Sequence, residues 1–349
     1  MRVTQQGAMA VEKKDRMEAD NILEVKDLTK YFPVRRTLKQ CLHHQKPEAV
    51  HAVDHLNLTL RRGEVTGLVG ESGCGKSTLA RVITNLYSAD SGDILFDGRS
   101  IVRTKAGQKN LYGTRIQMVF QDPYASLNPR MRIRQMLYEI MAVHHLCSPV
   151  EREQTAVHYL ELVGLNASYL DSYPAQLSGG QRQRISIARA LLVRPELLIA
   201  DEAITALDVS IQAQIINLLC DLRQELGLSM LFISHDLTVV QYISDKVVVM
   251  YLGEIVESSP TEQLFQNPLH PYTEALLRAT PKIGDRSMIY EKGMQGEAPS
   301  PIHMPAGCRF HTRCPYAVMR CSQEEPRLVD CGGGHFAACF RCVAEQNHG

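Results

Sequence analysis

The sequence of 349 residues lacks net charge, long apolar runs and an apolar segment near its N-terminus. Its 38 lysines and arginines balance 38 aspartates and glutamates, so no basic excess indicates nucleic acid as a partner. No stretch approaches about 18 uninterrupted apolar residues, and we therefore expect no membrane-spanning helix. Residues 1–20 are polar and charged without the apolar core of a secretory signal, and we expect them to form a disordered extension.

Cysteine is unevenly distributed along the chain. Six of the ten cysteines lie beyond residue 300. Because no export signal is present, we expect a reducing compartment, where disulfides are rare. Clustered cysteines in that setting more often bind a metal or a cluster. The length of the chain suggests about two domains.

Residues 70–78 carry the spacing of a phosphate-binding loop, G-x-x-x-x-G-K-[ST]. They read Gly70, Glu71, Ser72, Gly73, Cys74, Gly75, Lys76, Ser77 and Thr78. An apolar stretch precedes the loop and a helical pattern follows it, which is the context that the motif requires. The backbone N–H groups of such a loop surround nucleotide phosphates, and its glycines allow a close approach. We expect Lys76 to contact the β- and γ-phosphates and the Ser77 hydroxyl to bind Mg²⁺.

A short apolar run, residues 197–200, ends in Asp201 and Glu202. Such a run is typical of a strand that is buried on both faces of a parallel sheet. Ligands of open α/β sheets bind at the carboxyl ends of the strands, where the phosphate loop also lies. We therefore expect Asp201 to hold Mg²⁺ through water and Glu202 to polarise an attacking water.

A second anion-binding helix start is predicted at Ser178, Gly179 and Gly180, which precede a helix from Gln181. A single chain does not need two such sites for one nucleotide, whereas two chains packed head to tail do. Each chain would then offer Ser178, Gly179 and Gly180 to the γ-phosphate that the other chain holds with Lys76.

These segments together resemble the motifs of the ABC (ATP-binding cassette) ATPases over about residues 21–265. In chain order they match Walker A (70–78), the Q-loop glutamine (Gln121), the signature (177–181), Walker B (197–202), the D-loop (206–208) and the switch histidine (His235). The resemblance implies an α/β fold with a RecA-like phosphate-loop core, an antiparallel β subdomain and a helical subdomain at about residues 122–178.

The resemblance also implies a role for each matching residue. Gln121 would sense the γ-phosphate and bind the metal, and Glu202 would be the general base. His235 would contact the γ-phosphate and hold the attacking water in place. Asp208 would cross the interface between two cassettes, and Gln181 belongs to the signature that faces the nucleotide. Mg-ATP would bridge the two cassettes, and its hydrolysis would open the dimer.

An aromatic side chain near the start of the cassette is expected to stack on adenine. Phe32 is favoured by its spacing from the threonine–lysine pair at residues 29 and 30, and Tyr31 remains open because aromatic stacking tolerates either residue.

Two further strings narrow the resemblance to the ATPase subunits of dipeptide, oligopeptide and nickel importers. They are Ser-Leu-Asn-Pro-Arg at residues 126–130 and Asn-Pro-Leu-His-Pro-Tyr-Thr at residues 267–273. This resemblance implies a peripheral protein at the cytoplasmic face of the membrane that powers the import of di- and oligopeptides. Its implied partners are a second, non-identical ATPase subunit, two membrane permease subunits and, indirectly, an extracytoplasmic substrate-binding protein. Importers of nickel, opines or glutathione remain alternatives, as does a soluble ABC protein without a transport function.

The last part of the chain, residues 266–349, resembles the C-terminal extension of these peptide-importer ATPases, which in the family can hold a [4Fe–4S] cluster. The resemblance implies Cys308, Cys314, Cys321 and Cys339 as the ligands. Four thiolates equally suit zinc, and the close spacing of Cys339 and Cys342 is typical of zinc sites, so zinc is the alternative. We expect either group to act as a structural staple for this segment.

Overall fold

The computed structural model describes residues 20–34, 48–102, 109–122, 126–205, 207–279 and 296–342. Residues 1–19, for which the sequence predicts a disordered extension, lie outside these ranges, as does Ala206 of the D-loop. Within the described ranges, no helix combines the length and the apolar character that crossing a membrane requires.

Strands and helices alternate through the first two thirds of the described chain. The strands are β1 (Asn21–Pro33), β2 (Ala49–Arg61), β3 (Val65–Val69), β4 (Ser91–Phe96), β5 (Arg99–Ser100), β6 (Ile116–Val119), β7 (Leu197–Asp201), β8 (Ser229–Ile233), β9 (Lys246–Tyr251), β10 (Glu254–Pro260), β11 (Val329–Asp330) and β12 (Phe336–Ala337). The helices are α1 (Lys76–Ile83), α2 (Lys109–Arg115), α3 (Ile133–Val143), α4 (Arg152–Leu162), α5 (Gly179–Leu191), α6 (Val209–Leu226), α7 (Leu237–Ile243), α8 (Thr261–Gln266), α9 (Pro271–Ala279) and α10 (Met319–Gln323). Two 3₁₀-helices, Ala167–Asp171 and Pro174–Gln176, lie between α4 and α5.

The larger sheet has the strand order β11-β12-β10-β9-β3-β8-β7-β6. Its strands β9, β3, β8, β7 and β6 pair in parallel, and β10, β12 and β11 continue it in antiparallel fashion. Every residue of β3, β7 and β8 is buried, which explains their apolar sequences. Because these strands are parallel, the loops after β3, β6, β7 and β8 emerge at one edge of the sheet. The loop after β3 is the phosphate loop, and the loops after β6, β7 and β8 contain Gln121, Glu202 and His235, respectively.

The smaller sheet is antiparallel and has the order β2-β1-β4-β5. Its buried side chains share one core with α1 and with one face of the larger sheet. That core includes Leu23 and Phe96 of the smaller sheet, Leu79 of α1, and Leu197 and Ile199 of β7. The helix that follows the phosphate loop is therefore packed against both sheets.

The other face of the larger sheet packs against helices in a second core. Leu198 and Ala200 of β7 point into this core, as expected from the alternation of side chains along a strand. The apolar stripe of α3, with Ile133 and Leu137 fully buried, and the buried side of α5 complete it. The helical region between Gln121 and Ser178 thus lies on the side of the sheet opposite the smaller sheet.

The C-terminal segment packs on the same core as the cassette. Tyr272 of α9 and Phe310 are both fully buried there, with ring centroids 5.4 Å apart. Strand β12 pairs with β10, and His335 Nε2 lies 2.6 Å from the carboxylate oxygen of the buried Glu257. The described residues after 266 therefore lie directly against the sheet that carries the phosphate loop.

Candidate nucleotide-binding site

The phosphate loop between β3 and α1 depends on glycine at two positions where the chain passes other backbone. Gly70 and Gly75 have φ angles of 153° and 112°. A Cβ added at Gly70 would lie 2.2 Å from the carbonyl oxygen of Met250, and one at Gly75 would lie 1.9 Å from that of Ala52. Both approaches are closer than any side chain tolerates, so the curvature of the loop requires glycine.

Lys76 is buried at the start of α1, and its ammonium group lies inside the loop. Its Nζ donates hydrogen bonds to the carbonyl oxygens of Gly70 at 2.7 Å and Glu71 at 2.9 Å. Ser72 and Gly73 form the exposed tip, and Thr78 is half-buried in the first turn of α1. The Cys74 thiol is buried 3.7 Å from Lys76 Nζ, and burial raises the pKa of that thiol. The loop therefore holds one cation at its centre, as the recognition of phosphates requires.

Ser77 and Asp201 meet at the carboxyl end of the sheet. The Ser77 hydroxyl donates a hydrogen bond of 2.8 Å to Asp201 Oδ1. Asp201 is the last residue of β7 and is 2% exposed, and burial raises the pKa of its carboxyl group while the bond from Ser77 opposes that rise. A hydroxyl and a carboxylate at this distance are both oxygen ligands of the kind that Mg²⁺ prefers.

Two residues predicted from separate segments come together around the Glu202 carboxylate. Gln121 Nε2 donates to Glu202 Oε2 at 2.8 Å, and His235 Nδ1 lies 3.8 Å from Glu202 Oε1. The backbone of Glu202 has a φ of 47°, and its N–H donates to the carbonyl oxygen of Ile233 at 3.0 Å. A non-glycine residue in this left-handed region is strained, and such strain is concentrated at functional sites. The structure thus turns the Glu202 side chain toward Gln121 and His235.

The predicted second helix start is formed at α5. Ser178 is its N-cap residue: the Ser178 hydroxyl accepts from the N–H of Gln181 at 3.3 Å, and Gln181 Oε1 accepts from the N–H of Ser178 at 2.9 Å. A Cβ added at Gly180 would lie 2.6 Å from Ile211 Cγ2, and one at Gly179 would lie 3.1 Å from a methyl of Leu207, so both glycines lie close to α6 or the residues before it. Among the described contacts, none joins Ser178, Gly179 or Gly180 to the phosphate loop of the same chain.

Asp208, predicted to cross an interface between two cassettes, is the N-cap residue of α6. It is exposed, and the next residue, Val209, is 82% exposed. The backbone oxygen of Asp208 accepts from the N–H groups of Ile211 and Gln212, so its carboxylate is not used to cap the helix.

The two candidate adenine-stacking residues point in different directions along β1. The Tyr31 hydroxyl donates a short hydrogen bond to Asp54, and its ring lies 4.1 Å from the ring of His51. Phe32 instead packs edge-to-face on Tyr87 with ring centroids 5.4 Å apart. Their side chains lie on opposite faces because successive residues of a strand alternate.

Two residues near the phosphate loop were not found from the sequence. Arg313 forms two hydrogen bonds to the carboxylate of Glu71, and the Tyr272 hydroxyl accepts from the N–H of Glu71 at 2.7 Å. Both residues follow the last cassette motif by many positions. No local pattern relates them to the loop, so only the tertiary structure reveals these contacts.

The prediction of a metal or iron–sulfur site at Cys308, Cys314, Cys321 and Cys339 is wrong. Within the ranges that the structure describes, no group of three or more histidine, cysteine, aspartate or glutamate side chains is arranged to hold a metal ion. Burial raises the pKa of the Cys308 thiol to about 11 and also raises that of Cys314. The interaction of Cys339 with the neighbouring Cys342 thiol lowers the pKa of Cys339.

Two protein families match the chain. The ABC transporter family matches residues 53–205, which include the phosphate loop, Gln121, Ser178 and Glu202. A second family, the C-terminal region of oligopeptide and dipeptide transporters, matches residues 256–321.

Curated relatives match over nearly the whole chain. The oligopeptide transport ATP-binding protein AppF of Bacillus subtilis is 48% identical over 328 residues, which are 92% of this chain and 97% of AppF. The dipeptide transport ATP-binding protein DppF of Haemophilus influenzae is 45% identical over 91% of this chain and 96% of DppF. DppF of Escherichia coli is 43% identical over 93% of this chain and 96% of its own length.

Solved structures agree on the fold. CbiO1 of Clostridium perfringens, part of the ABC transporter complex CbiONQ, superposes with a TM-score of 0.59 at 29% identity, over 71% of this chain and 92% of CbiO1. The dimeric bacterial ABC transporter cassette MJ0796 has a TM-score of 0.59 at 26% identity, over 68% of this chain and 98% of that cassette. The chain has the ABC ATPase fold and belongs to the ATP-binding proteins of oligopeptide and dipeptide ABC transporters.

Proposed function

We propose that this chain is the ATP-hydrolysing subunit that powers the import of di- and oligopeptides. The observation that carries the ATPase activity is the convergence of Ser77 and Asp201 with Gln121, Glu202 and His235 at the carboxyl ends of the parallel strands. The peptide substrate is supported by the printed functions of the relatives, and by the match of residues 256–321 to the C-terminal region of peptide transporters.

Mg-ATP fits the donors that the site presents. Lys76 supplies a cation inside a loop of backbone N–H groups, where the β- and γ-phosphates would bind. The Ser77 hydroxyl and the Asp201 carboxylate would hold Mg²⁺ together with Gln121, since all three offer the oxygen ligands that this ion prefers. Bound Mg²⁺ would neutralise charge that develops on the β- and γ-phosphates.

Glu202 would act as the general base for the attacking water. One of its oxygens, Oε2, accepts from Gln121, so the other, Oε1, is available on the side of His235. A base held by a neighbouring amide loses little orientational freedom on reaching the transition state. His235 would hold the water and the γ-phosphate in line, and 60% exposure of its side chain leaves it accessible from the nucleotide side.

Two cassettes would share each nucleotide. At the N-terminus of α5 the Ser178 N–H is bonded within the capping box, while no described hydrogen bond engages the N–H groups of Gly179 and Gly180, as a site for the γ-phosphate of a facing cassette would require. The exposed Asp208 lies at a suitable helix start for the same interface. Phe32 would stack on adenine, since the Tyr31 ring is occupied by His51 and its hydroxyl by Asp54.

The proposed assembly contains a second, non-identical ATPase subunit, two permease subunits and an extracytoplasmic substrate-binding protein. This chain would lie at the cytoplasmic face of the membrane as a peripheral subunit. Its cysteine-rich C-terminal extension would serve as a structural part of the cassette, since β12 and Phe310 pack on the cassette core.

The assembly is tested by purification of the tagged full-length chain from gently solubilised membranes, with its partners identified by mass spectrometry. We expect two polytopic permease proteins and a second ATPase subunit. Recovery of the chain without membrane proteins, or with ribosomal or DNA-repair proteins, would contradict a transport function.

A further inference from the structure

A short part of the C-terminal segment, residues 308–314, reaches the phosphate loop. Arg313 donates from its two terminal nitrogens to both carboxylate oxygens of Glu71, at 2.8 and 3.0 Å. The Arg313 side chain is only 7% exposed, and that of Glu71 is 26% exposed. A bidentate pair of this kind fixes both the distance and the orientation of the two side chains, because the guanidinium and the carboxylate are planar.

Glu71 connects the C-terminal segment with Lys76 of the phosphate loop. Its carboxylate accepts hydrogen bonds from Arg313, and its backbone N–H donates to the hydroxyl of the fully buried Tyr272 at 2.7 Å. Its carbonyl oxygen accepts a hydrogen bond from Lys76 Nζ at 2.9 Å. The carbonyl that contacts Lys76 and the carboxylate that contacts Arg313 thus belong to one residue. A change in the backbone orientation of Glu71 would therefore move the carbonyl oxygen that accepts the hydrogen bond from Lys76.

The position of the segment does not depend on Glu71 alone. Arg309 donates to Asp54 at 2.5 Å and also pairs with Glu254 and with the carbonyl oxygen of Leu252. Although burial acts to raise the pKa of Asp54, hydrogen bonds from Tyr31 and Arg309 lower it, so this carboxylate is charged and paired. The segment therefore stays anchored at Arg309 when the Arg313 contact is removed.

We propose that Arg313 is a positioning residue for ATP, which orients the phosphate loop and Lys76 through Glu71. The inference rests on the proposed function, because it assigns a further determinant of ATP binding at the same site. Arg313 acts through a side chain: two of its hydrogen bonds go to Glu71, whose backbone is part of the phosphate loop, and a third, of 3.4 Å, goes to the hydroxyl of Tyr251. The C-terminal segment of this chain thereby becomes part of the ATP site.

The test compares four full-length proteins with the wild type: Arg313→Gln, Glu71→Gln, the double variant and Arg320→Gln. Arg320 is a matched control, since it lies in the same segment but pairs with Glu324 on the surface, at 2.8 Å. We expect the dissociation constant for ATP to rise about tenfold in each single variant, a coupling of usual size for contacting residues. The double variant should show no further rise, and Arg320→Gln should bind as the wild type does.

A melting temperature is measured for each protein in the same buffer. If Arg313 served stability alone, Arg313→Gln would melt at a lower temperature with an unchanged dissociation constant for ATP, and that result would overturn the inference. The inference would also be overturned if the dissociation constant of the double variant rose by the product of the two single increases, because Arg313 would then not act through Glu71. If the wild-type protein does not bind ATP, the proposed function is refuted as well. If the wild type binds ATP and the Arg313 and Glu71 variants bind it equally well, only the role of Arg313 is refuted.

Discussion

Substitution of Gly75 by alanine tests whether the geometry of the phosphate loop determines ATP binding. The added Cβ would lie 1.9 Å from the carbonyl oxygen of Ala52, a backbone atom of β2, and 2.7 Å from Met250 Cε. The methionine side chain is flexible although it is buried, but relief of the contact with Ala52 requires the backbone of the loop or of β2 to move. A side chain at the φ of 112° costs about 1–3 kcal/mol, and the forced overlap costs about 1–3 kcal/mol more.

We therefore expect Gly75→Ala to lower the free energy of unfolding by about 3 kcal/mol. Because the loop must shift by about 1 Å, we expect kcat/KM for ATP to fall roughly a hundredfold. Urea unfolding and steady-state phosphate release measure the two effects on the purified chain.

Gly63→Ala is the matched control. Gly63 also has a positive φ, of 69°, but a Cβ added there meets nothing within 4 Å. It should cost about 1 kcal/mol of stability, with ATP kinetics within about twofold of the wild type. If Gly75→Ala hydrolysed ATP as well as Gly63→Ala does, the argument from the close approach to Ala52 would be refuted.

Three further predictions follow from the site and its surroundings. Glu202→Gln should bind ATP within about twofold of the wild type and lose at least about a hundredfold in turnover, measured as phosphate release; unchanged turnover would exclude Glu202 as the base. In the Glu202→Gln protein, Ser178→Ala should weaken ATP-dependent association with the second ATPase subunit about tenfold in sedimentation experiments, whereas association of equal affinity would argue against a signature that faces the partner's nucleotide. His270 is fully buried, and burial lowers its pKa to about 4, so protonation of this residue favours the unfolded chain. The contribution of His270 to the free energy of unfolding should fall by about 3 kcal/mol as the pH drops from 6.5 to 4, measured as the change in the difference between the wild type and His270→Asn; a difference that does not change with pH would refute this.

The sequence was sufficient to predict the parts of the site that depend on local pattern. The glycine spacing at residues 70–75 and the acids at the end of β7 indicated a phosphate loop and a strand end, and the structure shows both. The parallel order of the strands then explains why Gln121 and His235 meet at Glu202, although 114 positions separate Gln121 from His235.

What could not be predicted depends on long-range packing. Arg313 reaches Glu71 across 242 positions, and nothing in the residues around Arg313 marks that contact. The cysteines show the opposite case: the family resemblance implied a set of metal ligands, but the described side chains form no group that could hold a metal ion. The choice between Tyr31 and Phe32 was open for a related reason: adjacent residues of a strand face opposite sides, and sequence does not say which side faces the nucleotide.

Uptake of a labelled dipeptide into proteoliposomes that contain the purified transporter with this chain tests the central claim most directly. Vesicles with the wild-type chain should accumulate the dipeptide only when Mg-ATP is supplied on the side of the ATPase subunits. Vesicles with Glu202→Gln should bind ATP and accumulate none. ATP-dependent uptake of Ni²⁺ without dipeptide uptake, or equal dipeptide uptake by both proteins, would contradict an ATPase that powers peptide import through Glu202.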